Sequence, residues 1–229
     1  MEALPDISTL ADPIHPGAEE GWEIIHTRTY DVRTYRTPDK KFVIRGAVAD
    51  DKPAGLYLIE DPEGMRLHHM IVDLVVNRDT LVIEDARVTF RAYPGATCPA
   101  IADAYTKLIG VSLGRGFSKF VRETFGGPNG CSHTTALLLA MAPVSVQSKF
   151  SDRYYEMRQA IREDRPTNQG VARANLARLN KNTCHVWAEG SERHEDAMEG
   201  RPIAAPIPVQ LRCKALGLDP EIWVRRVAE

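Results

Sequence analysis

The residues best suited to chemistry are a few cysteines and histidines at the edges of apolar segments. In GGPNGCSHTTALLLAMAP (126–143), a Gly/Pro/Asn loop delivers Cys131 and His133 two residues apart, where an apolar helical run begins. Cys98 opens CPAIADAYTKLIG in the same way. Unpaired backbone N–H groups and the helix dipole favour a thiolate at a helix start. Thiolate with imidazole is a donor set that suits zinc or iron. A buried cysteine needs no function and C-x-H alone is a weak signal. The two helix starts taken with His133 make a shared site a candidate.

Further groups lie on segments that read as strands. In MRLHHMIVDLVVN (65–77), alternation puts His69 with Leu67, Ile71 and Asp73, and His68 with Met70 and Val72. One of the two histidines must face the helices if one side of the sheet is covered. By the same parity His26, Arg28 and Tyr30 share a face, where they could receive an anionic or phenolic substrate edge; a solvated strand face is the plainer reading. Asp51-Lys52 is a loop ion pair or the source of a general base, lysine serving as a base only where burial lowers its pKa. Tyr154, Tyr155 and Trp187 could line an apolar pocket, though aromatics at helical spacing are more often core. Cys184, His185, His194 and Cys213 fall in a C-terminal extension and are left out of the site.

The elements that must position these groups follow from periodicity. WEIIHTRTYDVRTYRT (22–37) and KKFVIRGAVADDKP (40–53) alternate as strands, and residues 65–77 and 80–93 flank a turn at Asn77-Arg78-Asp79. LYLI (56–59) is a candidate extra strand. The period then becomes helical over 98–110, 115–126 and 131–149, with an interruption expected at Pro143, and amphipathic helices follow in DRYYEMRQAIRED and NQGVARANLARLNKN. Strands first and helices later predict an α+β chain: an antiparallel meander with helices packed on it. The expected division is an arm over 1–21, a core over 22–150 and a helical, irregular extension over 151–229 that packs on the core.

Composition sets outer bounds. Of 229 residues, 43% are hydrophobic and 26% charged, which allows a packed core. The net charge of −2 with interspersed signs gives no basic face for nucleic acid. No run reaches the ~18 apolar residues of a membrane span, and the acidic N-terminus reads as no leader. The expectation is a cytoplasmic protein with reduced cysteines.

The pattern His26-Thr27-Arg28, Asp51-Lys52, LHHM, Cys98 with LIG, and GCSH resembles a bacterial family known only as a domain of unknown function, over about residues 25–150. Residues 46–150 are also similar to the NifU-type iron–sulfur scaffolds. LVIEDARVTFRAYPGATCPAIADAYTKLIGVSL resembles their strand, ligating-cysteine turn and helix, and NGCSHTTALLLAMA their later helix that opens on a cysteine. That likeness implies a NifU/SufE-like core and carries Cys98 and Cys131 over as ligands, with His68 or His69 where the scaffold has Cys or Asp. His133 follows its cysteine instead of preceding it, so the ligand set is changed, and a mononuclear site fits better than a cluster.

The preferred expectation is a metal-dependent hydrolase or lyase acting on a small aromatic or acyl substrate. Its zinc or iron ion would sit among His69, Cys98, Cys131 and His133, with Asp73, Lys52 and His133 as catalytic groups and His26, Arg28 and Tyr30 binding substrate. The alternatives are a metal or iron–sulfur carrier and a non-catalytic interaction domain. A homodimer is compatible with the sequence.

Overall fold

Alternating β-branched and aromatic residues build four strands: β1 (Thr27–Arg36), β2 (Lys41–Lys52), β3 (Met65–Asn77) and β4 (Ile83–Ala92). They form an antiparallel sheet in the order β1-β2-β3-β4. The computed structural model describes residues 17–114, 116–165, 178, 180–201 and 204–223. Helices follow the strands, as the change of period predicts: a 3-10 helix over Cys98–Leu108, α1 (Phe117–Phe125) and α2 (Ser132–Arg162). The chain divides into two compact units, Gly17–Glu156 and a second made of Met1–Pro16 with Met157–Glu229.

One face of the sheet is apolar and covered. Phe42, Ile44 and Val48 of β2 and Met70, Val72, Leu74 and Val76 of β3 alternate into it. There they meet Leu108, Phe117, Val121, Phe125, Leu137, Leu138 and Met141 from the helices. Gly46 continues the β2 row, and a Cβ there would lie 2.7 Å from Met141 Sδ and 3.0 Å from Leu137 Cδ1. The missing side chain lets α2 cross close to the sheet. The opposite face carries cross-strand ion pairs instead: Arg45 with Asp73 at 2.6 Å and Arg66 with Asp51 at 2.7 Å. Where α2 passes the turns, Arg36 and Arg78 share Asp152 and Glu156, and Arg36 lies over the Tyr155 ring.

Several expectations change. β1 begins at Thr27, so residues 22–26 lie outside it. LYLI forms turns and bends, not a strand. Residues 98–108 wind as a 3-10 helix, in which side chains three apart eclipse; the buried pair is accordingly Tyr105 and Leu108, while Ile109 is exposed. α2 runs through Pro143 without a break and takes in most of DRYYEMRQAIRED. Leu138, Met141 and Ala142 are buried around the proline, so packing offsets the lost backbone bond. NQGVARANLARLNKN lies largely outside the described residues. Beyond it come short helices at Glu192–Met198, capped by the Ser191 hydroxyl, and Ile207–Ala215. No helix among the described residues is long and apolar enough to cross a membrane.

Leu137 is wholly buried under Gly46, so Leu137→Ala should lower the unfolding free energy by about 2–5 kcal/mol in urea titrations. Leu56→Ala, at a side chain 49% exposed, should change it by roughly 0.5 kcal/mol or less.

Candidate functional site

Asp50 occupies a position that alternation would make apolar. It continues the inward row Phe42, Ile44, Gly46 and Val48, and it is 2% exposed. Register sets its neighbours: Arg28 of β1 stands opposite it on one side and His68 of β3 on the other. A register shift between Asp50 and Asp51 marks the end of the regular ladder here, a common device for re-aiming side chains beside a site. Arg28 donates from Nε to Oδ1 at 2.6 Å and from Nη2 to Oδ2 at 2.7 Å, a two-point charge-assisted grip. His26, just before β1, reaches Oδ1 at 3.6 Å.

The fourth wall is the start of α2. The loop before it is tightly fixed: a Cβ at Gly130 would lie 2.5 Å from the Phe125 carbonyl oxygen. The Cys131 N–H donates to the buried Tyr105 hydroxyl at 2.8 Å, and its carbonyl accepts from the Thr135 N–H. His133 is thereby aimed at Asp50, with Nε2 3.0 Å from Oδ2, and its ring stacks on His68 with centroids 3.9 Å apart. Its Nδ1 faces Cys131 Sγ at 3.8 Å.

Electrostatics follow from these contacts. The hydrogen-bonded Arg28 guanidinium holds the Asp50 carboxyl far below the usual carboxylate range, against the opposing effect of burial. Burial lowers the pKa of His133, as do His68 and Arg28, while Asp50 pulls the other way; the neutral ring is favoured. His68 Nδ1 lies 3.2 Å from Asp50 Oδ2 in a direction that makes no hydrogen bond, leaving a buried polar atom without a hydrogen-bond partner.

Among the described residues, Asp50, His68 and His133 are the one group of three or more His, Cys, Asp or Glu side chains whose potential ligand atoms all lie within 4.8 Å of one another. Of the expected residues, His133 belongs to this group, though with Asp50 and His68 instead of His69, Cys98 and Cys131; His26 and Arg28 border the cluster, with Tyr30 beside Arg28. The other expected residues are elsewhere. His69 pairs with Ala49 and Ala92 and shares the parity of Ile71 and Asp73, away from the buried row. Asp73 is held by Arg45 on that same face. Lys52 lies over the Tyr57 ring at 5.9 Å. Cys98 sits against Gly95, and Cys131 adjoins the cluster through His133; neither sulfur enters the three-ligand group.

Residues 26–147 match the family model described as Protein of unknown function (DUF2889). The chain belongs to this family. The DUF2889 match spans every member of the cluster, from His26 to His133. No curated protein and no solved structure matches the chain, so the likeness to NifU-type scaffolds has no counterpart in these comparisons.

Removing Asp50 strands a guanidinium among half-buried imidazoles. Asp50→Ala should cost about 2 kcal/mol, less than the roughly 3–5 of a wholly buried pair, because the Arg28 side chain is 37% exposed. The metal-free protein should also lose melting temperature between pH 7 and 5. The unfolded chain then protonates its histidines near about 6.5 while His133 and His69, both depressed, resist. Asp50 stabilises above the ordinary carboxylate pKa, and this contribution fades only as the pH falls below about 4. His133→Gln should flatten the pH 5–7 limb in melting curves.

Proposed function

We propose that this protein is a metal-dependent enzyme, a cytoplasmic hydrolase or lyase acting on a small aromatic or acyl substrate. Its zinc or iron ion would be held by Asp50, His68 and His133. The observation that carries this reading is the convergence of one carboxylate oxygen and two imidazole nitrogens, with His68 Nδ1 left unbonded and pointing into the group. Ligands about 2.1 Å from an ion stand about 3.0 Å apart at right angles and about 3.4 Å apart at the tetrahedral angle; Oδ2 lies 3.0 Å from one imidazole nitrogen and 3.2 Å from the other. Two histidines and one carboxylate with open positions form a recurrent catalytic donor set.

The chain's own residues define the roles. Arg28 takes one lone pair of each Asp50 oxygen and fixes the carboxylate plane, leaving the second lone pair of Oδ2 for the site. His133, neutral and ligating through Nε2, would direct its Nδ1–H at Cys131 Sγ, the kind of outer contact that orients ligating histidines. The ion would polarise a carbonyl or lower the pKa of water at the open position. Because Arg28 cancels the Asp50 charge, a bound dication leaves the centre positive and suited to an anionic substrate group or to hydroxide. The segments flanking this end of the sheet expose Trp22, Ile24 and Ile25 before β1 and Leu56, Tyr57, Leu58 and Ile59 between β2 and β3. These side chains support an aromatic or acyl substrate. An iron–sulfur carrier fits less well, since clusters are held mainly by cysteine sets.

One contact favours a second reading. Cys131, His133 and Asp50 are spaced as a nucleophile, a base and the group that orients the base. There Nε2–H would donate to Asp50 and Nδ1 would accept the thiol proton.

Metal analysis of anaerobically purified protein should find about one zinc or iron per chain. His68→Ala and His133→Ala should each lose it, whereas His69→Ala, Cys98→Ser and Cys131→Ser should retain it. Full metal content in both of the first two variants would overturn the metal reading. Metal-free protein whose Cys131 is alkylated rapidly, and slowly in His133→Ala, would put the thiol reading in its place.

A further inference from the structure

The two edges of the sheet differ. The 3-10 helix packs against β4, and Val82, just ahead of that strand, bridges to Ser112. β1 has β2 on one side and, among the described residues, no strand on the other. It pairs with β2 in ten unbroken steps, without a bulge. The strand TRTYDVRTYR is long and rich in Thr and Tyr, lacks Pro and Lys, and its first five residues are all exposed. Protected edges are usually short, bulged, proline-bearing or guarded by charged side chains, lysine above all; the four charges of β1, on Arg28, Asp31, Arg33 and Arg36, are each already met by an opposite charge within the chain. A regular edge of this length presents a row of N–H and C=O groups to another strand.

We propose that two copies of this chain join through β1, in antiparallel register centred on Val32, to make one continuous eight-stranded sheet. In an antiparallel ladder, residues directly opposite are both hydrogen-bonded or both not. Only registers whose paired residue numbers sum to an even value are therefore compatible with a two-fold axis through the edge. Centring on Asp31 sets two carboxylates face to face, and centring on Arg33 sets two guanidinium groups face to face. Centring on Val32 puts Asp31 opposite the partner's Arg33 and Arg33 opposite the partner's Asp31. Within one chain, Asp31 already accepts from Arg33 at 3.0 and 2.6 Å; pairing would close these charges into an alternating square. The same register sets Tyr30 across from the partner's Thr34 and Tyr35 across from the partner's Thr29, aromatic on β-branched. It also sets Arg28 across from the partner's Arg36. Both charges are already met, Arg28 by Asp50 and Arg36 by Asp152 and Glu156.

Sedimentation equilibrium of the full-length chain should give a dimer, and it requires no knowledge of the metal or the substrate. Asp31→Arg and Arg33→Asp each place like charges together and should weaken self-association roughly tenfold or more. The double variant D31R/R33D exchanges the signs and should restore it. Both side chains are exposed, so far-ultraviolet spectra should match the parent in all three, as should melting temperatures taken at concentrations low enough for the parent to be monomeric. A monomer at roughly 100 µM, far above the Kd of a specific dimer, would overturn the proposal. So would a dimer indifferent to the single substitutions, or one that the double variant fails to recover.

Discussion

A carboxylate kept out of water at the end of an apolar row is the constraint around which the rest of this site is arranged. Asp50 stands where the covered face of β2 would ordinarily carry a valine or leucine. Burying its charge is costly unless it is paired and hydrogen-bonded, and the sheet meets that demand laterally. The antiparallel register puts Arg28 on one flank and His68 on the other. A slip of one residue would send Asp50 to the face of Arg45 and Asp73 and leave Arg28 without its partner. The polar cluster and the apolar core therefore specify the same register.

The helices supply what the sheet cannot. His133 reaches Asp50 because the turn before α2 is held from three sides: by the Phe125 carbonyl crowding Gly130, by the Tyr105 hydroxyl on the Cys131 N–H, and by Leu137, Leu138 and Met141 seated in the core. Gly46 lets the helix approach closely enough for the imidazole to span the gap. Tyr105 itself is buried against Phe125, with ring centroids 4.7 Å apart. Placement of a chemical side chain here depends on apolar packing two turns further along the helix.

Much of this architecture is legible in the sequence, because periodicity reports which face is buried. The meander, the Asn77–Asp79 turn and the helix starts near 98 and 131 follow from alternation and its change near residue 98, whereas His26 meets Arg28 at Asp50 from outside β1. The same rule contains the site. His68 has the parity of Met70 and Val72, and Asp50 that of Phe42, Ile44 and Val48; a carboxylate in that series needs partners, which marks it out more sharply than the neighbouring Asp51-Lys52. Cys98 and Cys131 drew attention by residue type, yet a helix start fixes only a local field. Which side chains converge on it depends on three-dimensional packing, here a 3-10 winding and an unbroken helix through Pro143 that local propensity did not indicate.

The chemistry of the site turns on one proton. His133 has a single N–H in its neutral form and two neighbours, Asp50 at Nε2 and Cys131 at Nδ1. With the proton on Nε2, the ring donates to Asp50, its other nitrogen is free to accept from the thiol, and no lone pair remains for a cation. With the proton on Nδ1, the ring turns its lone pair toward Asp50 Oδ2, where two acceptors 3.0 Å apart repel unless something positive lies between them. The neighbouring imidazole sharpens the choice. His68 Nδ1 offers Oδ2 no hydrogen bond, so it does nothing to relieve that repulsion, and a cation would satisfy all three atoms at once. The thiol arrangement leaves His68 unexplained, whereas the metal arrangement gives a place to every member of the row from Arg28 to His133.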